Sequence, residues 1–321
     1  QAHCNLGMTL FEMGQLDRAE ASLRKAISIR ADYAEAHNNL GAILKKKNKL
    51  KSAELCHRQA ISLKPDYLEA HYNLGTTLKE LGRNGEAISS FNQVISIEES
   101  HAASKHMLAA LRGETPSTAP RDYVEALFDG YAVNFDDSLV VNLEYKVPRA
   151  LAEMVSIESN FDSLASVLDL GCGTGLFGQE IRKFCRRLEG VDLSRKMLKK
   201  AQEKQVYDKL IKEDVVVYLE KAALNFNVFV FTDVFIYIGA LDNVFNLIKS
   251  RTDGGGKLAF STEHLEKGSF LLEESGRYSH SKKYILSMCE RFGYTLSQFK
   301  KIPLRKDGKK HIAGALYVLS F

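Results

Sequence analysis

Val167-Leu-Asp-Leu-Gly-Cys-Gly-Thr-Gly-Leu-Phe-Gly178 is an apolar run that breaks into closely spaced glycines, and a carboxylate follows at Asp192. The pattern predicts a strand entering a glycine turn that opens a helix, the arrangement by which α/β folds bring bare backbone against a nucleoside cofactor. A dinucleotide site uses G-x-G-x-x-G to seat a pyrophosphate on the helix N-terminus. The reading here rests on Gly171, Gly173 and Gly175, which form G-x-G-x-G directly after Asp169.

Strand and helix signals alternate outward from that stretch. Strands are expected over 166–170, 188–191, 210–212, 228–231 and 257–260, with helices starting at Leu176, Ser194 and Leu241 between them. That alternation predicts a doubly wound, mostly parallel sheet. A helix over 281–292 and strands over 294–301 and 311–319 close the chain, the last two joined by the basic turn Arg305-Lys-Asp-Gly-Lys-Lys310, whose charged tip is expected in solvent.

With its glycine spacing and the acidic residue after the second strand, this half resembles the class I S-adenosylmethionine (SAM) methyltransferases, whose cofactor has no pyrophosphate. The resemblance implies a seven-stranded, Rossmann-like sheet ending in an antiparallel hairpin. It also implies binding of SAM and release of S-adenosylhomocysteine (SAH). By matching position, Asp192 would accept the ribose hydroxyls and Asp169 would orient the glycine loop or meet the cofactor's ammonium group. Gly171, Cys172, Gly173 and Gly175 would supply backbone. Asp214 would accept from the adenine amine, with Leu193 and Val215 against the ring, and Asp233 and Val234 would face the methionine moiety and the acceptor. The segment from Arg121 to Asp137 and the stretch Leu143–Pro148 resemble an N-terminal lid, which makes Tyr131, Phe135 and Tyr145 wall residues. Around the acceptor, Arg277 would clamp a carboxylate, with Tyr237, Tyr278 and His280 as wall or base. After the fourth strand the chain reads Thr232-Asp-Val-Phe235 rather than Asn/Asp-Pro-Pro-Tyr, which disfavours planar amides and base amines as acceptors. No Pro-Cys pair occurs, so the usual nucleophile of cytosine-5 enzymes is missing, and no paired-glutamate loop of arginine methyltransferases is evident.

The first third is periodic. Ala2-His-Cys-Asn-Leu-Gly7, Ala36-His-Asn-Asn-Leu-Gly41 and Ala70-His-Tyr-Asn-Leu-Gly75 recur at a spacing of 34, the period of tetratricopeptide (TPR) repeats. Small residues at Ala19, Ala53 and Ala87, and at Ala26, Ala60 and Val94, mark where second helices approach their partners. An all-α superhelix with a concave face follows, capped by a helix over 101–112. Gln1 already lies inside the pattern of a first helix, which leaves room for further repeats before it. Asn5, Asn39 and Asn73 recur on the inner helix and resemble the asparagine ladder of O-linked N-acetylglucosamine transferase, which implies binding of an extended peptide's backbone. His3, His37 and His71 are expected to fill inter-helix packing, since at roughly 10 Å per helix pair they lie too far apart to share a metal. Lys45-Lys-Lys-Asn-Lys-Leu-Lys51 is expected as a solvated turn.

Gly113-Glu-Thr-Pro-Ser-Thr-Ala-Pro120 reads as a linker, dividing repeats over 1–113 from a methyltransferase domain over 122–321, with the linker itself at 114–121. The 321 residues, 45% hydrophobic, supply two cores. No apolar run approaches the roughly 20 residues of a membrane span and no signal peptide is present, so a cytoplasmic protein is expected. The five scattered cysteines argue against a disulfide framework or zinc site, and a net charge of +4 argues against a nucleic-acid partner. Taken whole, the chain resembles bacterial methyltransferases with N-terminal TPR repeats. The expected acceptor is a protein or peptide captured by the repeats or a small molecule; a scaffold that only senses SAM is the alternative.

Overall fold

A computed structural model describes residues 1–132, 135–136, 144–158, 164–307 and 310–321. Asp137 and Leu143 of the expected lid, and Gly308 and Lys309 of the basic turn, lie outside the described residues. The chain forms two compact units, Gln1–Glu114 and Thr115–Phe321.

The first unit is a series of antiparallel helix pairs: α1 (Ala2–Glu12) with α2 (Leu16–Ile29), α3 (Ala34–Lys46) with α4 (Leu50–Leu63), α5 (Leu68–Glu80) with α6 (Asn84–Ile97), then α7 (Ala102–Arg112). Each pair turns through one left-handed residue, Gly14, Asn48 and Gly82 at φ 74°, 57° and 75°, the conformation glycine and asparagine tolerate best. Ala19, Ala53, Ala60 and Ala87 are fully buried where the helices touch. Gly7, Gly41 and Gly75 leave room for Leu23, His57 and Phe91, one residue per repeat from the second helix. The lysine run is not simply solvated. Lys47 pairs with Asp17 and with the buried Glu20 of the preceding repeat, and Lys45 donates to Thr76 Oγ1 at 2.8 Å in the next. Arg83 Nη1 meets Glu54 at 2.7 Å, so basic residues beside the second and third turns tie neighbouring repeats.

In the second unit, α8 (Arg121–Tyr131) and α9 (Val147–Glu158) precede an alternating series: β1 (Leu164–Leu170), α10 (Leu176–Ile181), β2 (Cys185–Asp192), α11 (Arg195–Glu203), β3 (Lys209–Lys212), α12 (Val215–Lys221), β4 (Val228–Phe231), α13 (Asp242–Arg251) and β5 (Lys257–Leu265). Then follow β6 (Phe270–Leu272), β7 (Tyr278–Ser281), α14 (Lys282–Phe292), β8 (Thr295–Asp307) and β9 (Lys310–Ser320). The strands β3-β2-β1-β4-β5 run parallel in that order, and β9 inserts antiparallel between β5 and β8. This is the doubly wound, mostly parallel sheet expected from the alternating elements, closed by an antiparallel strand pair.

Side chains alternate between two cores, as a sheet covered on both faces requires. Phe229 and Phe231 of β4, Leu258 and Phe260 of β5 and Tyr317 of β9 pack with α13 and α14 on one face. Val228, Val230, Ala259, Leu316 and Val318 pack with α9 and α10 on the other. Each fully buried Phe or Leu contributes roughly 1.5–3 kcal/mol.

Among the described residues the sheet has nine strands, two more than the seven expected. β5 continues to Leu265, beyond the end of β4. The hairpin β6–β7 pairs with that overhang, Glu263 opposite Ser279 and Leu265 opposite Ser281. Residues 115–120, within the expected linker, belong to the second unit: Ala119 N–H donates to Tyr237 O at 3.0 Å and Gly239 N–H to Ser117 O at 3.0 Å. Among the described residues no helix is long and apolar enough to cross a membrane, and no group of three or more metal-ligating side chains occurs. All five cysteines are free.

Candidate active site

The sheet's order reverses between β1 and β4, and the crevice above their C-terminal ends is where open α/β sheets bind ligands. The apolar β1 ends in Gly171, Gly173 and Gly175, all left-handed at φ 77°, 53° and 86°, so their positions need glycine. A Cβ on Gly171 would also stand 2.2 Å from Val234 Cγ2, which seats the glycine loop directly against the turn after β4.

Asp192 closes β2 beneath this loop. Its Oδ2 accepts from Gly173 N–H at 2.8 Å and its Oδ1 from Ser194 N–H at 2.8 Å. Burial pushes its carboxyl up to about 6 against these two donors. Asp169 is fully buried; Oδ2 accepts from Tyr207 at 2.6 Å, while Oδ1 has no hydrogen-bond partner among the described residues. Burial pushes this carboxyl up to about 7. The buried Cys172 thiol is held well above its ordinary value by the same cause, which makes it a poor nucleophile. Asp214 caps α12, its Oδ1 accepting from Val216 and Val217 N–H at 2.9 and 3.1 Å. Leu193 and Val215, flanking these acids, are half-buried.

The described part of the expected lid, α8 and residues 135–136, is fastened by polar contacts to loops that follow the strands. Glu125 of α8 meets Lys212 at 2.7 Å, Asp129 accepts from the Ser194 hydroxyl, and Asp136 accepts from Thr174 and meets Lys204 at 2.7 Å. Phe128 stands edge-on to Tyr237 at 5.4 Å and packs against Phe135 at 6.2 Å. Tyr131, expected in the wall, is 47% exposed, while Phe128 takes the inward place. Asp129, Asp136, Phe128 and Tyr207 were not among the expected site residues. Only the first three carried a signal, through their lid segment.

Beyond β4 the structure corrects several expectations. Asp233 has φ 56°, a conformation that costs a residue with a Cβ roughly 1–2 kcal/mol. Its carboxylate does not stand open: Oδ1 accepts from the Ser261 hydroxyl at 2.6 Å and Oδ2 from Arg305 at 3.1 Å. Arg305, expected at a solvated tip, is 5% exposed on β8 and also binds Glu263. Burial raises the Glu263 carboxyl despite that arginine. Burial, with the nearby Asp233 charge, pushes the Tyr145 phenol up. Tyr278 and His280 lie in β7, both fully buried, rather than in a loop edging a pocket. The imidazole Nε2 meets Gly239 O at 2.9 Å, and burial lowers its pKa to about 4, so His280 is a neutral core residue. Arg277, just before β7, is half-buried, with Tyr237 and Glu263 near its charge.

In the repeats, Asn39 Nδ2 points to Cys4 Sγ at 3.6 Å and Asn73 Nδ2 donates to Asn38 Oδ1 at 3.1 Å, so both amides span repeat junctions, while Asn5 is exposed. His37 and His71 bind the carbonyls of Ala31 and Pro65.

Among known proteins, the chain is similar to an uncharacterized methyltransferase of Schizosaccharomyces pombe, 25% identical over 107 residues that cover 30% of this chain and 37% of that one. Solved structures similar to it include the magnesium protoporphyrin IX methyltransferase of Synechocystis PCC 6803 with bound SAM, at 15% identity, covering 60% of this chain and 83% of that one, TM-score 0.42. Another is the first TPR of Spaghetti (RPAP3) bound to an HSP90 peptide, at 19% identity, covering 35% and 88%, TM-score 0.34. Tetratricopeptide repeat models match residues 7–48, 34–67 and 68–101, and a methyltransferase domain model matches 161–294. The chain joins tetratricopeptide repeats to a methyltransferase domain.

Proposed function

We propose that this chain is a SAM-dependent methyltransferase that acts on a protein or peptide recruited by its repeats, or on a small molecule taken directly into the crevice. The observation that carries the reading is the pair of buried acids beneath a left-handed glycine loop. Asp192 is oriented by Gly173 and Ser194, and Asp169 keeps one buried oxygen without a partner. An orphaned buried carboxylate oxygen is costly unless a ligand or water meets it, and an ammonium group fits it.

In this reading Asp192 takes the ribose hydroxyls, Asp169 faces the ammonium, and Asp214 uses its second oxygen for the adenine amine, with Leu193 and Val215 beside the ring. Gly171, Cys172, Gly173 and Gly175 offer backbone, and Phe128, Phe135 and Tyr145 exclude water. Bound SAM supplies an electrophilic methyl group. The protein's part is to hold the acceptor close and aligned in a dry site. Arg277 and Tyr237 stand on the acceptor side. The TPR matches support a peptide partner for the repeats, where Asn5 stands exposed while Asn39 and Asn73 are held by neighbouring repeats.

A second reading, a repeat scaffold whose methyltransferase domain only binds or senses SAM, is favoured by the burial of Tyr278 and His280, which removes both as acceptor-side bases. Calorimetric binding of SAM and SAH to the chain and to Asp192→Ala tests what the two share; turnover with labelled SAM separates them. Tight binding lost in the variant is expected. A folded chain that binds neither ligand leaves the repeats as the functional part.

A further inference from the structure

We infer that Arg305 is a positioning residue for the cofactor crevice: paired with Asp233, it fixes the left-handed turn after β4 that seats against the glycine loop. The inference rests on the reading of that crevice as a SAM site.

Arg305 reaches the crevice through an irregularity in the sheet. Pro303 pairs with Ala313 and Lys306 with His311, so β8 carries an extra residue between them. Along a regular strand, neighbours face opposite sides. Here Leu304 and Arg305, adjacent in sequence, are 0% and 5% exposed. A bulge re-aims a side chain in this way, and the one it turns inward is a guanidinium.

What it meets is the left-handed turn at Asp233. Asp233 at φ 56° is stabilised by a closed set of contacts: its N–H donates to Ser261 Oγ at 2.7 Å, and that hydroxyl donates back to Oδ1 at 2.6 Å. Arg305 takes Oδ2 and, through its other terminal nitrogen, Glu263. The Asp233 carboxylate is thus committed to the protein, and the turn presents backbone and Val234 to the crevice. Val234 occupies the space that any side chain on Gly171 would need, so a shift of the turn is transmitted to the loop that carries Gly173 and, through it, to Asp192. Strained residues held by over-determined surroundings concentrate at functional sites, and Asp233 has such surroundings.

The test is the SAH dissociation constant of the full chain, measured calorimetrically well below the melting midpoint, for wild type, Arg305→Met, Arg305→Lys and Ser261→Ala. Arg305→Met is expected to weaken SAH roughly tenfold, with Arg305→Lys recovering part of the loss. Leu319→Val, a core change on β9, is expected to lower the midpoint while leaving SAH affinity unchanged, which separates positioning from stability alone. Ser261→Ala keeps both ion pairs and decides the matter if Arg305→Met does not fold; it too is expected to weaken SAH. A folded Ser261→Ala or Arg305→Met chain that binds SAH like wild type overturns the inference while leaving the SAM site intact. A wild-type chain that does not bind SAH overturns the cofactor reading and this inference with it.

Discussion

The hydroxyl of Tyr207 donates to Asp169 Oδ2 at 2.6 Å, and its ring fills space left by glycines: a Cβ at Gly178 would stand 2.5 Å from the ring and one at Gly175 2.9 Å. Tyr207 comes from the loop before β3, so the acid under the glycine loop is held by a residue 38 positions away. Gly178→Ala must displace the ring, and the chain should lose about 1–3 kcal/mol, the usual result of overpacking. Gly85→Ala, where a Cβ meets open space, should stabilise by about 0.4–1 kcal/mol. Urea unfolding of both variants checks the contrast; equal effects would mean that the ring does not depend on Gly178.

Asp169 makes stability depend on pH in a definite direction. Its carboxyl rises from 3.8 to about 7 on burial, so the folded chain prefers it protonated. That contribution is full below about 3.8 and is lost as pH rises through about 7, at about 1.4 kcal/mol per pH unit between them. Asp169→Asn keeps an acceptor for Tyr207 without the titration. Relative to wild type, the variant should therefore melt higher at pH 8 than at pH 5. A difference in midpoint that stays constant with pH would show that Asp169 does not titrate in this window.

Asp192 should set the acid limit of SAH binding. With a carboxyl pushed up to about 6, it loses its negative charge over a range where most exposed carboxylates keep theirs. Asp169, titrating near 7, adds its own weakening as pH falls, and the dissociation constant should steepen further below 6, where Asp192 loses its charge. Calorimetry from pH 5 to 8 reads the profile directly, and Asp192→Asn should remove the added steepness below 6 while leaving the part due to Asp169.

The repeats and the parallel sheet were legible because close packing constrains residue type locally. Gly7, Gly41 and Gly75 recur because Leu23, His57 and Phe91 leave no room for a side chain, and β4 reads as a continuous apolar run because both of its faces are covered. Asp192 was legible from its position after the glycine motif, and the structure does place it at the end of β2. The hairpin β6–β7 was not, since Tyr278-Ser-His-Ser281 and Ser261-Thr-Glu-His264 look like polar loops until each is paired with the other's backbone. Arg305 was hidden most completely. It sits in a basic run, and what buries it is two carboxylates 72 and 42 residues away, together with a bulge that only the register of β8 and β9 reveals.

The lid contacts predict a loss of affinity without a loss of fold. Asp136 accepts from Thr174, a neighbour of Gly173 and Gly175, and meets Lys204 of the loop after α11 at 2.7 Å. Both carboxylate and ammonium are part-exposed, so the pair itself stabilises the chain by about 1 kcal/mol or less. Asp136→Ala should leave the melting midpoint within a few degrees of wild type and weaken SAH several-fold, because the glycine loop loses its tie to the lid. Lys204→Ala should show a smaller effect, since Thr174 keeps its acceptor. Unchanged SAH affinity in Asp136→Ala would mean that the lid takes no part in holding the ligand.

His57 gives the repeat array an acid-sensitive core. It occupies the place that Leu23 and Phe91 fill in the neighbouring repeats, with Nδ1 against Asn38 Oδ1 at 3.0 Å and Nε2 buried without a hydrogen-bond partner among the described residues. Burial lowers its pKa from 6.5 to about 3, with the Lys45 charge adding to it. The fold therefore prefers the neutral ring, and that contribution is present above 6.5 and lost as pH falls through about 3. His57→Leu restores the residue type of the first repeat, and Asn38 keeps Asn73 as a donor at 3.1 Å. At pH 7 the variant should lie within about 1 kcal/mol of wild type, because one hydrogen bond is lost and one unpaired buried nitrogen is relieved. At pH 4.5 it should be the more stable by roughly 2–3 kcal/mol, at about 1.4 kcal/mol per unit below 6.5. Hydrogen exchange of α3 and α4 in the full chain reads this separately from the methyltransferase unit. Equal protection of the two chains at pH 4.5 would mean that the ring is already charged in the folded array, with a partner for Nε2.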